Sequence, residues 1–158
     1  MGQNFQSIVD IEATEDEAEE LADTMLAWLV EVGELSSTAD ASRSGIRTEG
    51  LEVFTRRTVY YSLTGDFRVT CPHCHWSADD DWEGLTDSIG RWYDGGPDEV
   101  LCLSCHRGAG LNDWHWSPPW GFGCLGFRFW GWPTFTPPFL SAFGARLGHR
   151  TVHPYGKL

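Results

Sequence analysis

Apolar and polar side chains alternate over residues 4–12 (NFQSIVDIE), with Phe5, Ser7, Val9 and Ile11 on one face, and this period of two predicts a first strand. The period then lengthens. Ala18, Leu21, Ala22, Met25, Trp28, Leu29 and Val32 recur at three- and four-residue spacing behind Thr14 and Glu17, a capping-box pair, until Gly33 offers a left-handed stop. This predicts an amphipathic helix. Its acids Glu15, Asp16, Glu17, Glu19 and Glu20 crowd the first turns, where the helix dipole favours them, and read as a solvated face. Residues 35–50 carry no period and read as a mobile loop. Residues 51–62 (LEVFTRRTVYYS) predict a second strand, bent near Arg56 and Arg57 and closed by a Thr64-Gly65-Asp66 turn. Near the C-terminus, residues 125–132 predict a strand. Thr136 and Pro137 open a helix with Phe139, Leu140, Phe143 and Leu147 inward, Gly148 stops it, and residues 149–153 alternate as a closing strand.

With the cysteine-bearing middle set aside, the order is β-α-β followed by β-α-β. The expected fold class is therefore α+β, a ferredoxin-like sandwich with two helices on one face of a four-stranded antiparallel sheet. Residues 1–66 and 113–158 would form this body. Residues 67–112 would be a zinc-ribbon insert between the middle strands.

That insert carries Cys71-Pro-His-Cys74 and Cys102-Leu-Ser-Cys105, two CxxC pairs separated by 27 residues. Each CxxC turn presents two sulfurs to one side, so two turns close a tetrahedron around Zn²⁺. Residues 67–70 and 100–101 supply strand signals ahead of each pair, while Trp82, Leu85, Ile89 and Trp92 predict a short helix between them. The expected cofactor is structural Zn²⁺ on Cys71, Cys74, Cys102 and Cys105, because four thiolates leave no open position for catalysis. The rival reading is covalent c-type haem, since His75 and His106 make both motifs CxxCH; a dithiol redox switch is another. His73, His75 or His106 replacing a sulfur is a further option. Cys124 has no base near it in sequence and reads as a small buried hydrophobe. His149 and His153, expected on one strand face with Thr151 between, read as ordinary histidines unless a carboxylate or metal stands beside them.

Composition and charge narrow the function. The 158 residues include 11 Lys+Arg against 23 Asp+Glu, a net charge of -12. Affinity for nucleic-acid phosphates or anionic membranes is disfavoured, because such binding is driven by basic groups. The charge is uneven: the first 34 residues hold ten acids and no base, whereas residues 114–158 hold four bases and no acid. Eight of nine tryptophans fall between Trp76 and Trp132. They serve either to glue the insert to the body or to anchor a partner. Base stacking would call for a basic groove, and residues 79–99 carry eight acids with Arg91 as the single base. With no apolar run of membrane-spanning length and no export signal, a cytoplasmic location is expected.

The stretches AWLVEVG, LEVFTRRTVYYS, the CxxC pairs, LNDWHWSPPWGFGCLGFRFWGWP and the ending GKL together resemble a group of small bacterial proteins with a zinc-ribbon-like insert, to which a transporter-ATPase activity is often ascribed. The likeness spans most of the chain and implies no activity; a GxxxxGK[ST] phosphate loop is missing from the sequence. That group tends to have Gly after each CxxC, where this chain has His75 and His106. The expectation is a non-enzymatic, zinc-stabilised protein-binding module, immunity-type or adaptor, acting on a basic partner; a thiol redox or c-type haem protein is the alternative, and nucleic-acid binding through the ribbon, which the charge disfavours, a further one.

Overall fold

A computed structural model describes residues 3–43 and 49–158. In chain order the elements are β1 (Asn4–Asp10), α1 (Glu15–Glu31), β2 (Ala41–Ser42), β3 (Gly50–Phe54), β4 (Thr58–Tyr60), β5 (Arg68–Thr70), α2 (Trp82–Tyr93), β6 (Glu99–Leu101), β7 (Gly108–Gly110), β8 (His115–Ser117), β9 (Gly121–Gly123), β10 (Leu125–Trp130), α3 (Pro137–Leu147), β11 (Thr151–Val152) and β12 (Tyr155–Lys157). The chain is mixed α and β, as the periodicities predict.

The main sheet runs β11-β1-β10-β3-β2, and β12 also pairs with β1. β10 is antiparallel to both β1 and β3, so the third long strand lies between the first two. α1 and α3 cover one face of it. Ile8, Leu51, Val53, Leu125, Phe127 and Phe129 from the strands pack there with Ala18, Ala22, Met25, Leu29, Phe143 and Leu147 from the helices. The helix ends follow the sequence. Glu17 accepts a bond from the Thr14 N–H at 3.0 Å, and Gly33 ends α1 at φ 83°. Thr136 Oγ1 accepts from the Phe139 N–H at 3.3 Å, and Gly148 ends α3 at φ 75°.

Several expectations change. β1 is buried on both faces from Phe5 to Asp10, so its alternation marks direction but not inside and outside. Ile8, on the face opposite Phe5 and Val9, is the residue that meets the helices. Val32 falls beyond α1 and is exposed. Residues 35–50 are not structureless: a 3₁₀ turn at Thr38–Asp40 leads into β2, which pairs in parallel with β3. Arg43 clips this segment to α1 through Glu19 and Asp23, at 2.6 and 2.9 Å. The remainder of that loop, residues 44–48, lies outside the described residues. The bend at Arg56 and Arg57 proves to be a break, since β4 leaves the main sheet and pairs with β9 instead.

The second face of the sheet carries a polar row. Ser7, Arg128 and Glu52 stand in register on β1, β10 and β3. Arg128 lies 5.0 to 5.9 Å from the ring centres of Phe54, Tyr60, Phe5 and Tyr61, an aromatic box that solvates the guanidinium. Glu52 is 1% exposed and accepts from Trp130 Nε1 at 2.7 Å. β4 and the Tyr60 ring roof this face, and the ring lies directly on Gly126.

At the start of α1, buried Asp10 accepts from the Ala13 N–H at 2.8 Å and faces His149 Nδ1 at 2.7 Å. A carboxylate does stand beside this histidine. The Asp10 bond holds His149 above its ordinary value against the pull of burial, aided by the charges of Asp10, Glu17 and Glu12. A raised folded-state value means that the pair stabilises fully below the unfolded value of 6.5, and loses its contribution as pH rises through the higher folded value. We expect wild type to exceed His149→Gln in stability at about pH 5.5 and the gap to shrink by about pH 8. Urea titrations at both pH values check this; a pH-independent gap would contradict it.

Candidate metal centre

The second core holds the cysteines. Val69, Cys71, Ala78, Leu85, Trp92, Val100, Cys102, Leu111, Trp114 and Phe122 form a cluster separate from the helix-covered one. β5 pairs with β8, and β6 with β7, giving two short antiparallel ladders that each deliver one CxxC turn. α2 lies between them in sequence, as the Trp82, Leu85, Ile89 and Trp92 spacing predicts, and it seats Leu85 and Trp92 in this core.

The two turns are near copies. The His75 N–H donates to the Cys71 carbonyl at 3.0 Å and the His106 N–H to the Cys102 carbonyl at 2.9 Å. The Cys71 N–H donates to Trp76 O and the Cys102 N–H to Arg107 O, both at 2.9 Å. Backbone N–H groups also point at sulfur: His73 to Cys71 Sγ at 3.3 Å, and Ser104 and Cys105 to Cys102 Sγ at 3.4 and 3.5 Å. Such donors favour thiolates.

The four sulfurs converge. Cys71 Sγ lies 3.8 Å from Cys105 Sγ, Cys74 Sγ lies 3.6 Å from Cys102 Sγ, and all four are within 4.8 Å of one another. Zn–S bonds of about 2.3 Å in a tetrahedron require S···S edges of about 3.8 Å. The four residues therefore form a possible metal site of ion-sized dimensions, with Cys71 and Cys102 buried, Cys105 half-buried and Cys74 at the surface. Neither His73, His75 nor His106 belongs to the cluster. Burial pushes the Cys102 thiol up, but the N–H donors of Cys105 and Ser104, with the Cys74 and Cys71 thiols, outweigh it and bring it down to about 7. Cys105 goes the other way: the Arg107 backbone pulls it down, yet burial and the three thiols raise it to about 11. Without a cation, then, one thiolate forms easily and the next is resisted.

His75 and His106 occupy left-handed backbone, at φ 65° and 61°. A side chain there costs roughly 1 kcal/mol, which glycine avoids. Both rings are exposed. We expect His106→Gly to stabilise the metal-loaded protein by about 0.5–1 kcal/mol, read from denaturant midpoints. A loss of stability would show that the imidazole has a structural partner.

The aromatic segment is mainly internal. Trp116 and Trp120 stack at 5.2 Å, with Phe67 and Phe122 against them. Trp116 Nε1 donates to Leu111 O at 2.7 Å. Trp82 stays 45% exposed against Phe67. One tie between the two cores was not legible from spacing. Arg57, in the β3–β4 break, donates to the C-terminal end of α2 at Trp92 O (2.6 Å) and to Gly96 O (2.7 Å), and reaches Glu15 of α1 at 3.3 Å. Its guanidinium also lies 5.4 Å from the Trp92 ring centre. Cys124 is half-buried and apart from the cluster, and burial raises its thiol. Among the described residues no helix is long and apolar enough to cross a membrane.

In comparisons with known protein families, with curated proteins and with solved structures, the chain matches none.

Proposed function

We propose that this protein is a non-enzymatic binding module whose platform is set by one structural Zn²⁺ on Cys71, Cys74, Cys102 and Cys105. The convergence of four sulfurs within 4.8 Å carries this reading. Two haems would require each CxxCH to face its own porphyrin, whereas here both pairs face a common point. Four thiolates would fill the ion's coordination, leaving it no position for water or substrate. Its contribution is to hold the β6–β7 and β5–β8 ladders together at the cysteine end of the second core.

In this reading the body is a ferredoxin-like sandwich. The order of the four principal strands, β11-β1-β10-β3, and the placement of α1 and α3 on one face support it. The two knuckles on antiparallel ladders support a zinc-ribbon insert.

The docking face lies beside the second knuckle. Leu101 and Leu103 are both 56% exposed, and Trp82 and Tyr93 are also exposed on the same insert. Exposed acids Glu83, Asp87, Asp94, Asp98 and Glu99 belong to this insert too. Apolar anchors on an insert that holds eight acids over residues 79–99 against Arg91 alone suit a basic protein partner, with the net charge steering the encounter. Two measurements test this. Elemental analysis of purified protein should give one zinc per chain, and cobalt substitution should give the visible bands of tetrahedral thiolate; a Soret band or four freely reactive thiols would sink the zinc reading. Capture from the native host should then recover a basic protein, released by salt and lost in Leu101→Ser/Leu103→Ser while zinc content holds. Undiminished capture by that variant would move the docking face elsewhere.

A further inference from the structure

A cavity of about 560 Å³ opens beside the edge of the main sheet where β1 and β12 meet, and none of the four clustered cysteines lines it. Its size is that of a small-molecule site. Phe5, Trp132, Phe135 and Tyr155 give it aromatic walls, and His153 and Lys157 are the lining residues able to carry positive charge. No Asp or Glu lines it, although the chain carries 23 of them. The acid-free C-terminal third noted in the sequence supplies most of the lining, and Lys157 is the only lysine in the chain.

The polar groups are fixed. Gln6 Nε2 donates to Pro133 O at 2.8 Å, so its Oε1 is the acceptor that receives the Phe135 N–H at 3.2 Å and His153 Nε2 at 3.0 Å. His153 is thereby held with hydrogen on Nε2, between the Phe135 and Tyr155 rings at 6.1 and 6.0 Å. Burial lowers it below its ordinary value and favours the neutral ring. Nδ1 is then a lone-pair acceptor, with no partner among the described residues. Lys157 is not on a loose tail: β12 pairs it with Asn4, and Gln3 and Leu158 exchange two backbone bonds at 2.8 and 3.0 Å.

From this geometry we propose that the cavity binds a planar aromatic carboxylate bearing a ring N–H: the ring between aromatic walls, the N–H on His153 Nδ1, the carboxylate on Lys157. A single ammonium, with no arginine fork in the lining, suits a monoanion better than a phosphate. The site is independent of the metal reading and is tested separately.

The probe is indole-3-acetate, titrated into the metal-loaded full chain by calorimetry and ¹H–¹⁵N NMR. Saturable shifts are expected at residues 4–6 and 153–157, with unchanged zinc content. Indole-3-acetamide, which lacks the charge, should bind about tenfold more weakly to wild type, and Lys157→Ala should weaken the acetate about tenfold while making acid and amide equal. Lys157 is exposed, so this variant keeps its fold. His153→Phe should weaken both probes. Absence of saturable shifts at millimolar probe, shifts confined elsewhere, equal wild-type affinity for acid and amide, or unchanged affinity in Lys157→Ala would each overturn the proposal.

Discussion

Cys102→Ser is expected to empty the metal centre and unfold the two ladders around it while the helix-covered core stays folded. Cys102 is fully buried and receives two backbone N–H groups at its sulfur, so its loss removes a ligand and an organising point together. Structural zinc in small peptides contributes on the order of 10 kcal/mol at neutral pH, so its loss would remove a large share of what holds the two ladders together. Elemental analysis after dialysis should fall from one zinc per chain to none, and near-ultraviolet circular dichroism from Trp92, Trp114 and Trp116 should collapse. The helical signal of α1 and α3 should persist, since both pack in the other core. Cys124→Ser is the control, because Cys124 lies outside the cluster. Zinc retained at one per chain in Cys102→Ser would refute the four-sulfur assignment.

Gly126→Ala should be costly for a single methyl. A Cβ at Gly126 would lie 2.2 Å from both Cζ and Oη of Tyr60, and that ring is fully buried. Tyr60 cannot simply swing away. Phe54 packs edge-on to it at 5.9 Å, the Arg128 guanidinium sits 5.8 Å from its centre, and β4 is tied to β9. Overpacking of this kind costs about 3 kcal/mol, visible as a lowered denaturant midpoint with an unchanged slope. A double-mutant cycle with Tyr60→Ala should show coupling of about 1 kcal/mol or more, because the second change removes the colliding ring. A cost near zero would mean that the β4 roof lifts freely from the sheet.

These two sites differ in how they can be read. The CxxC pairs are local signals: each turn makes its own bonds, so spacing alone names the candidate ligands, and convergence needs only that the two ladders meet. Gly126 is different. Within LGFRFW it looks like a weak point of a strand, and nothing nearby in sequence says that Tyr60, 66 positions earlier, rests on it. The same holds for Arg57, which the sequence marks only as a bend, and for the Asp10–His149 pair, 139 positions apart.

By itself, the sequence determined the helices with their caps, the α+β order of elements and the four candidate ligands, because each rests on interactions within a turn or two of the chain. Tertiary structure decided what depends on distant segments meeting. It divided residues 51–62 between two sheets, buried β1 on both faces, set Ser7, Arg128 and Glu52 in one row, and brought His153 and Lys157 to one open cavity. The physical reason is register: strand pairing joins residues across the whole chain, and a one-residue slip would turn every side chain to the other face.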